Sequence, residues 1–145
     1  MKIRAFETPD EDAVVALWEA CGLTRPWNDP HRDIARKLTT QPDLFLVGIG
    51  EDDAEDDGAV IATAMIGFDG HRGWVYYLAV DPAHRGNRHS TALMAEAERI
   101  LIERGCPKLM LMVRAENTAV VDLYQHLGYE PETTLVMGKR LIPDD

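Results

Sequence analysis

The stretch Leu78-Ala79-Val80-Asp81-Pro82-Ala83-His84-Arg85-Gly86-Asn87-Arg88-His89-Ser90 changes character twice. Apolar residues ending at Val80 read as a strand, Asp81-Pro82 stops it, and a turn rich in Gly, Asn and cations leads into a helix. At such a helix N-terminus the first backbone N–H groups are unpaired and the helix dipole is positive. The combination seats an anion such as pyrophosphate. G-x-x-x-x-G-K is missing, which excludes a Walker A loop, and Gly86 stands alone, which excludes a dinucleotide G-x-G-x-x-G.

Outward from this segment, Trp74–Val80 predicts one strand and Leu44–Ile49 and Ala59–Phe68 predict two more, joined by the acidic tip Gly50-Glu51-Asp52-Asp53-Ala54-Glu55-Asp56-Asp57-Gly58. That tip reads as a solvated hairpin loop. It fails as an EF-hand calcium loop, because counting from Asp53 puts Ala64 where a bidentate Glu is required. Downstream, Leu93, Ala97, Ile100 and Leu101 mark a helix that stops at Gly105, and Leu109–Val113 reads as a strand. Asn117 is placed to cap a helix with the buried stripe Val120, Val121, Tyr124 and Leu127, and Thr133–Leu141 reads as a last strand.

At the N-terminus, Ile3–Phe6 alternates like a short strand, and Thr8-Pro9-Asp10-Glu11 predicts a capping box. Val14, Leu17, Trp18 and Cys21 follow helical spacing up to Gly22. Asp29-Pro30 opens a second helix carrying Ile34, Ala35 and Leu38, after the connector Leu23-Thr24-Arg25-Pro26-Trp27-Asn28. The order βααβββαβαβ predicts an α/β (α+β) domain in which helices cover one layer of sheet.

The chain has 145 residues, 46% of them apolar, which fits one domain spanning 1–145. Its 25 acidic and 15 basic side chains leave a net charge of −10, so a surface for nucleic acid is not expected. Removing the acidic tip leaves the remainder mildly acidic. Cys21 and Cys106 match no metal or redox spacing, no metal site is expected, and a reducing, cytoplasmic setting follows. The longest mostly apolar run, Ala59–Phe68, is too short to span a membrane, and no membrane association is expected.

A second motif is Asn117-Thr118-Ala119-Val120-Val121-Asp122-Leu123-Tyr124-Gln125-His126-Leu127-Gly128-Tyr129. It resembles the N-x-x-A-x-x-x-Y-x-x-x-G-[FY] signature of the GNAT-type N-acetyltransferases, with Val120 in place of the small residue. Leu78, Val80, Pro82 and Arg85 match that family's acyl-CoA motif, L-x-V-x-P-x-x-[QR]-x-x-G-x-[GA]. Segments 23–30, 69–73 and 104–108 resemble the YpeA-like bacterial branch. The resemblance implies a mixed, mostly antiparallel sheet of six to seven strands flanked by about four helices.

It also implies direct transfer of an acetyl group from acetyl-CoA to an amine of a small molecule or protein. Backbone amides at Leu78 and Val80, on a bulged strand with Ala79 between them, would hold the pantetheine and polarise the thioester carbonyl. Arg85, Gly86, Asn87, Arg88 and Ser90 would line the phosphate site, Ser90 being small and able to cap. Tyr124 would protonate the departing thiolate, since a phenol is protonated at neutral pH, and Asn117 would contact the cofactor as well as cap its helix. Some family members carry a Glu base on the strand before Leu78, where this chain has Tyr76 and Tyr77. Asp69, His71 and Glu116 are candidate bases instead. Trp27, Asn28 and Tyr76 are candidates for the acceptor groove, although Trp27 also reads as a lid over the core.

Arg88 stands where the family motif has glycine, and Ser90 at its Gly/Ala position. Arg88 either blocks CoA or turns its guanidinium toward a phosphate. If it blocks, the alternative is a catalytically impaired GNAT-fold module that binds a ligand or a protein. A third reading is an interaction protein whose strand edge pairs with a second copy. A homodimer is compatible with all three.

Overall fold

The computed structural model describes residues 1–51 and 55–144, and its centre is one sheet of five strands in the order β1-β2-β3-β4-β5. These are β1 (Lys2–Ala5), β2 (Phe45–Ile49), β3 (Val60–Phe68), β4 (Gly73–Val80) and β5 (Leu109–Leu111). Neighbours pair antiparallel except β4 and β5, which run parallel. A parallel pair needs a long crossover, and α3 (His89–Glu103) supplies it. The other helices are α1 (Glu11–Ala20), α2 (Pro30–Leu38) and α4 (Thr118–His126). One face of the sheet packs Leu93, Met94, Ala97 and Leu101 of α3 with Tyr124 of α4. The other packs Val14, Val15, Leu17 and Trp18 of α1 with Ile34 of α2.

The mixed, mostly antiparallel sheet and the four helices agree with expectation, but among the described residues there are five strands rather than six or seven. Thr133–Leu141 is not a strand: residues 133–140 join no ladder, and Leu135 and Met137 are each 89% exposed. The β-forming side chains find no partner edge of matching length, since β5 has only three residues. Beyond this segment the chain is tied to α2: the Asp144 carboxylate accepts from Asp29 N–H at 2.8 Å at the start of the helix and pairs with Arg36 in its last turn.

The expected capping box is displaced by one residue. Thr8–Asp10 forms a single 3-10 turn capped reciprocally by Glu7 and Asp10, and α1 begins after it. Asp10 also takes a two-pronged bond from Arg4, at 2.8 and 3.0 Å, and accepts Glu7 N–H at 2.8 Å. The hydrogen bond from Arg4 is the largest influence holding the Asp10 carboxyl below its ordinary pKa. A carboxylate with a depressed folded pKa stabilises above its unfolded pKa and loses that contribution as pH falls through the folded one. Asp10→Asn is expected to cost about 1 to 2 kcal/mol at pH 7. The gap between the thermal melts of the two proteins should begin to narrow below about pH 4 and close only once pH has fallen through the lower folded pKa of Asp10, and a gap independent of pH would refute the assignment.

The β3–β4 ladder carries the feature that matters most for the site. Ala62 pairs with Val80 and Thr63 with Ala79, but the next pair is Met65 with Tyr76, so Ala64 faces both Tyr77 and Leu78. This is a β-bulge, and Tyr77 adopts the left-handed φ of 51°. The extra residue shifts side-chain parity. Trp74 and Tyr76 stack on one face, and Tyr77 follows them onto that face to pack with Ala79 against the α1 cluster. Leu78 and Val80 point to the α3 and α4 side.

Candidate active site

The pairing of β4 with β5 ends at Val75 and Leu111, whereas β4 continues to Val80. In an antiparallel ladder alternate residues turn both backbone groups toward the same neighbour. Asp81 N–H bonds Ile61 O at 2.8 Å across β3, which assigns Ala79 and Asp81 to β3 and leaves Leu78 and Val80 facing the open edge. Cys21 donates its thiol to Val80 O at 3.4 Å, in keeping with that orientation. The splayed strands open a groove of about 1270 Å³.

On one side of β4 the groove is walled by Arg85, Ser90, Asn117 and Tyr124, and on the other by Trp27, Asn28, Asp33 and Tyr76. Of the expected cofactor residues, Leu78, Ala79 and Val80 are also in its wall, while Gly86, Asn87 and Arg88 lie in the exposed turn beside it. Of the expected acceptor residues, Trp27, Asn28 and Tyr76 line it, and Trp27 is 62% exposed, so it is no lid over the core. Asp69 and His71 sit in the β3–β4 turn outside the groove wall. There Asp69 accepts the N–H groups of His71 and Arg72, both at 2.8 Å, and these bonds lower its pKa. Glu116 is exposed, also outside the wall.

Tyr124 is buried among the α3 and β-sheet residues, edge-on to Tyr129 at 5.8 Å. Burial pushes its phenol up to about 12, so it is fully protonated at neutral pH. No buried side-chain polar atom among the described residues lacks a partner, and no hydrogen bond holds the Tyr124 hydroxyl; it therefore opens onto the groove. Asn117 is the N-cap of α4 without capping it through its side chain, contrary to expectation. Ser90 lies one residue inside α3 and does not cap either, Arg88 being the N-cap residue.

Several groove residues went unassigned in the sequence. Asp33 on α2 accepts the Tyr77 hydroxyl at 2.7 Å and the Asn28 amide at 2.5 Å. Burial, with Asp33 beside it, raises the Tyr77 phenol far above its ordinary value. Lys37 donates to Ile66 O, and half-burial lowers its pKa. The one local signal was the pair Tyr76-Tyr77, which breaks strict alternation. The turn itself is held by Asp81, which accepts Ala83 N–H at 2.8 Å, and by Asn87, which donates to His84 O at 3.1 Å. The acidic hairpin is more than a solvated tip, because Asp56 reaches His84 at 2.7 Å; residues 52–54 lie outside the described part.

The family model for the acetyltransferase (GNAT) family matches residues 8–129. The chain belongs to the GNAT acetyltransferase family. It is 51% identical over 144 residues to an acetyltransferase of Yersinia enterocolitica, covering 99% of this chain and 98% of the relative. An acetyltransferase of Pectobacterium atrosepticum is also 51% identical over 144 residues, with the same coverage. Among solved structures, a predicted acetyltransferase with acetyl-CoA from Clostridium acetobutylicum superposes with a TM-score of 0.71 at 19% identity, covering 95% of each chain. The ribosomal-protein-S18-alanine N-acetyltransferase of Escherichia coli gives 0.70 at 24% identity, covering 91% of this chain and 79% of that one. Identities this low carry the fold alone.

Against the GNAT motif, the departure at Arg88 has a backbone meaning. Arg88 has φ 60°, a conformation that costs a side-chain-bearing residue about 1 to 2 kcal/mol and glycine almost nothing. Its side chain is exposed, and neither its guanidinium nor that of Arg85 pairs with a carboxylate among the described residues. Arg88→Gly relieves the strain but adds flexibility to the unfolded chain, so stability should rise by up to about 1 kcal/mol. A urea midpoint that moves up at constant slope checks this. A lower midpoint would show that the Arg88 side chain stabilises the turn.

Proposed function

We propose that the chain is an acetyl-CoA-dependent N-acetyltransferase, with residues 1–145 as one catalytic domain. The observation that carries it is the open Leu78–Val80 edge of β4 facing Tyr124 across the groove, with the cationic turn at the start of α3 beside it. The dimensions suit an extended thiol ester, and the open edge offers its pantetheine amides a strand to pair with. Gly86 at φ 86° and Arg88 at φ 60° bend the turn toward the α3 N-terminus, where Arg85 and Arg88 are free to meet phosphates.

In the transfer, a neutral acceptor amine attacks the thioester carbonyl carbon. The Leu78 N–H donates to the oxygen as negative charge develops on it, while the Val80 N–H, one pleat further along the same edge, pairs with the pantetheine. When the C–S bond breaks, the departing thiolate takes the Tyr124 proton, the amine's surplus proton leaves to solvent at the Trp27 and Tyr76 end, and the Tyr124 phenolate regains a proton from water through the groove, closing the cycle. No acyl-enzyme forms. The alternative of a disabled binding module is not favoured, because Arg88 lies outside the groove wall and does not fill the seat of the thiol ester. A cytoplasmic setting goes with the free thiols of Cys21 and Cys106. Among the described residues no helix is long and apolar enough to cross a membrane.

Incubation with acetyl-CoA and a panel of primary amines, including peptides with free N-termini, tests the proposal. Thiol release matched by one acetyl per acceptor amine is expected. Acetylation found only on hydroxyl acceptors, or no release with any member of the panel, would overturn it.

A further inference from the structure

We propose that Asp33 and Tyr77 form a lock that holds the β4 bulge in its strained shape and so aims the Leu78 amide at the thioester oxygen. Both are positioning residues, and the inference rests on the acetyl-CoA reading above.

A tyrosine at φ 51° persists only where its surroundings over-determine it. Four groups converge on Tyr77. Its carbonyl accepts from the Thr63 hydroxyl at 2.7 Å, and that hydroxyl in turn accepts from Trp18 Nε1 at 2.9 Å. Its ring stacks on Trp18 with centroids 3.7 Å apart. Its hydroxyl donates to Asp33 at 2.7 Å and accepts from the Asn28 amide at 3.2 Å. Asp33 is itself pinned by Arg36 at 3.0 Å, and its side chain is 22% exposed. The carbonyl and ring contacts fix the strand side of the residue. The contact at Asp33 is different in kind, because it ties the bulge to α2 across the acceptor side of the groove.

Tyr77 immediately precedes Leu78, and the peptide between them carries the Leu78 N–H. Rotation of Tyr77 toward an ordinary extended conformation would swing that N–H off the open edge. The lock therefore does for the amide what a supporting hydrogen bond does for a catalytic side chain: it restricts orientation without touching substrate. It also couples the α1–α2 connector, through Asn28, to the polarising edge of β4.

The test uses wild type, Tyr77→Phe, Asp33→Ala and Asp33→Asn, each checked by thermal melting. Calorimetry gives the acetyl-CoA affinity, and infrared difference spectra of protein-bound acetyl-CoA carrying carbon-13 in its carbonyl give the stretching frequency. Polarisation by a donor lowers that frequency in wild type. Tyr77→Phe keeps the ring stack and deletes the phenol alone, whereas Asp33→Ala removes the phenol's acceptor together with the contacts to Asn28 and Arg36; both should bind acetyl-CoA within about threefold of wild type, lose most of the frequency shift and lose about tenfold in kcat. Asp33→Asn retains an oxygen that accepts the phenol proton and should retain the shift. Full polarisation in Tyr77→Phe and Asp33→Ala would overturn the lock, as would loss of the shift only in step with loss of affinity. Wild type that fails to bind, or binds without any shift, overturns the acetyl-CoA reading itself and the lock with it, an outcome separable because it appears before any substitution.

Discussion

Tyr124→Phe is expected to lower kcat by about 10²-fold or more, the range of a lost general acid, with acetyl-CoA affinity and melting temperature close to wild type. The hydroxyl takes part in no hydrogen bond among the described residues, so its removal leaves no orphaned partner there. The ring stays, and with it the contact to Tyr129 at 5.8 Å. The pH dependence has a definite sign. In the proposed transfer the protonated phenol is the active form, so the Tyr124 contribution is lost as pH rises through its pKa, which burial pushes up to about 12. Wild-type kcat should show no fall attributable to Tyr124 near the ordinary tyrosine value of about 10. Steady-state kinetics with saturating acetyl-CoA and an acceptor found by the amine screen would check both points. An unchanged kcat in Tyr124→Phe would remove the acid from the mechanism.

The second large effect is on stability. Trp18→Ala is expected to cost about 3 to 5 kcal/mol, a large share of the total for a domain of this size, about 5 to 15 kcal/mol. Trp18 is fully buried, stacks on Phe45 at 6.0 Å and on Tyr77 at 3.7 Å, and donates to the buried Thr63 hydroxyl. Truncation opens a cavity and unseats the residue that holds the bulge from the sheet side. Trp18→Phe keeps most of the volume and loses the indole hydrogen bond, so a cost of about 1 to 3 kcal/mol is expected. Urea unfolding monitored by far-ultraviolet circular dichroism measures both. A cost below about 1 kcal/mol for the alanine variant would mean that the bulge and the α1 face collapse around the gap.

What could be read from the chain alone divides by the range of the contacts involved. The strand, turn and helix across 78–90 were legible because proline, glycine and charge there act on neighbouring backbone. The Asn117–Tyr129 helix was legible for the same reason, down to Tyr124 on its buried face. The Tyr77 bulge was only half legible. Two adjacent tyrosines disturb the alternation, but the direction in which the strand bends is set by Thr63, Trp18 and Asp33, and the Asp33 partner is 44 residues away. Asp33 drew no assignment from the sequence, because nothing near it in the chain announces the phenol it receives.

Thr133–Leu141 failed for a related reason. β-branched and apolar residues favour an extended backbone, but a strand also needs an edge of adequate length, and β5 is short. The end of the segment is set by Asp144 and Arg36, 108 residues apart. Asn117 and Ser90 show the opposite limit. Both residue types suit a helix cap, yet neither side chain caps, and both instead line the groove.

In the proposed reaction the open edge of β4 receives acetyl-CoA despite arginine in place of the motif glycine. Calorimetric titration of acetyl-CoA into the wild-type protein, with its 3′-dephospho analogue for comparison, tests it most directly. Micromolar binding, around −8 kcal/mol, with a matching rise in melting temperature is the expected result. No detectable heat together with an unchanged melting temperature would contradict it.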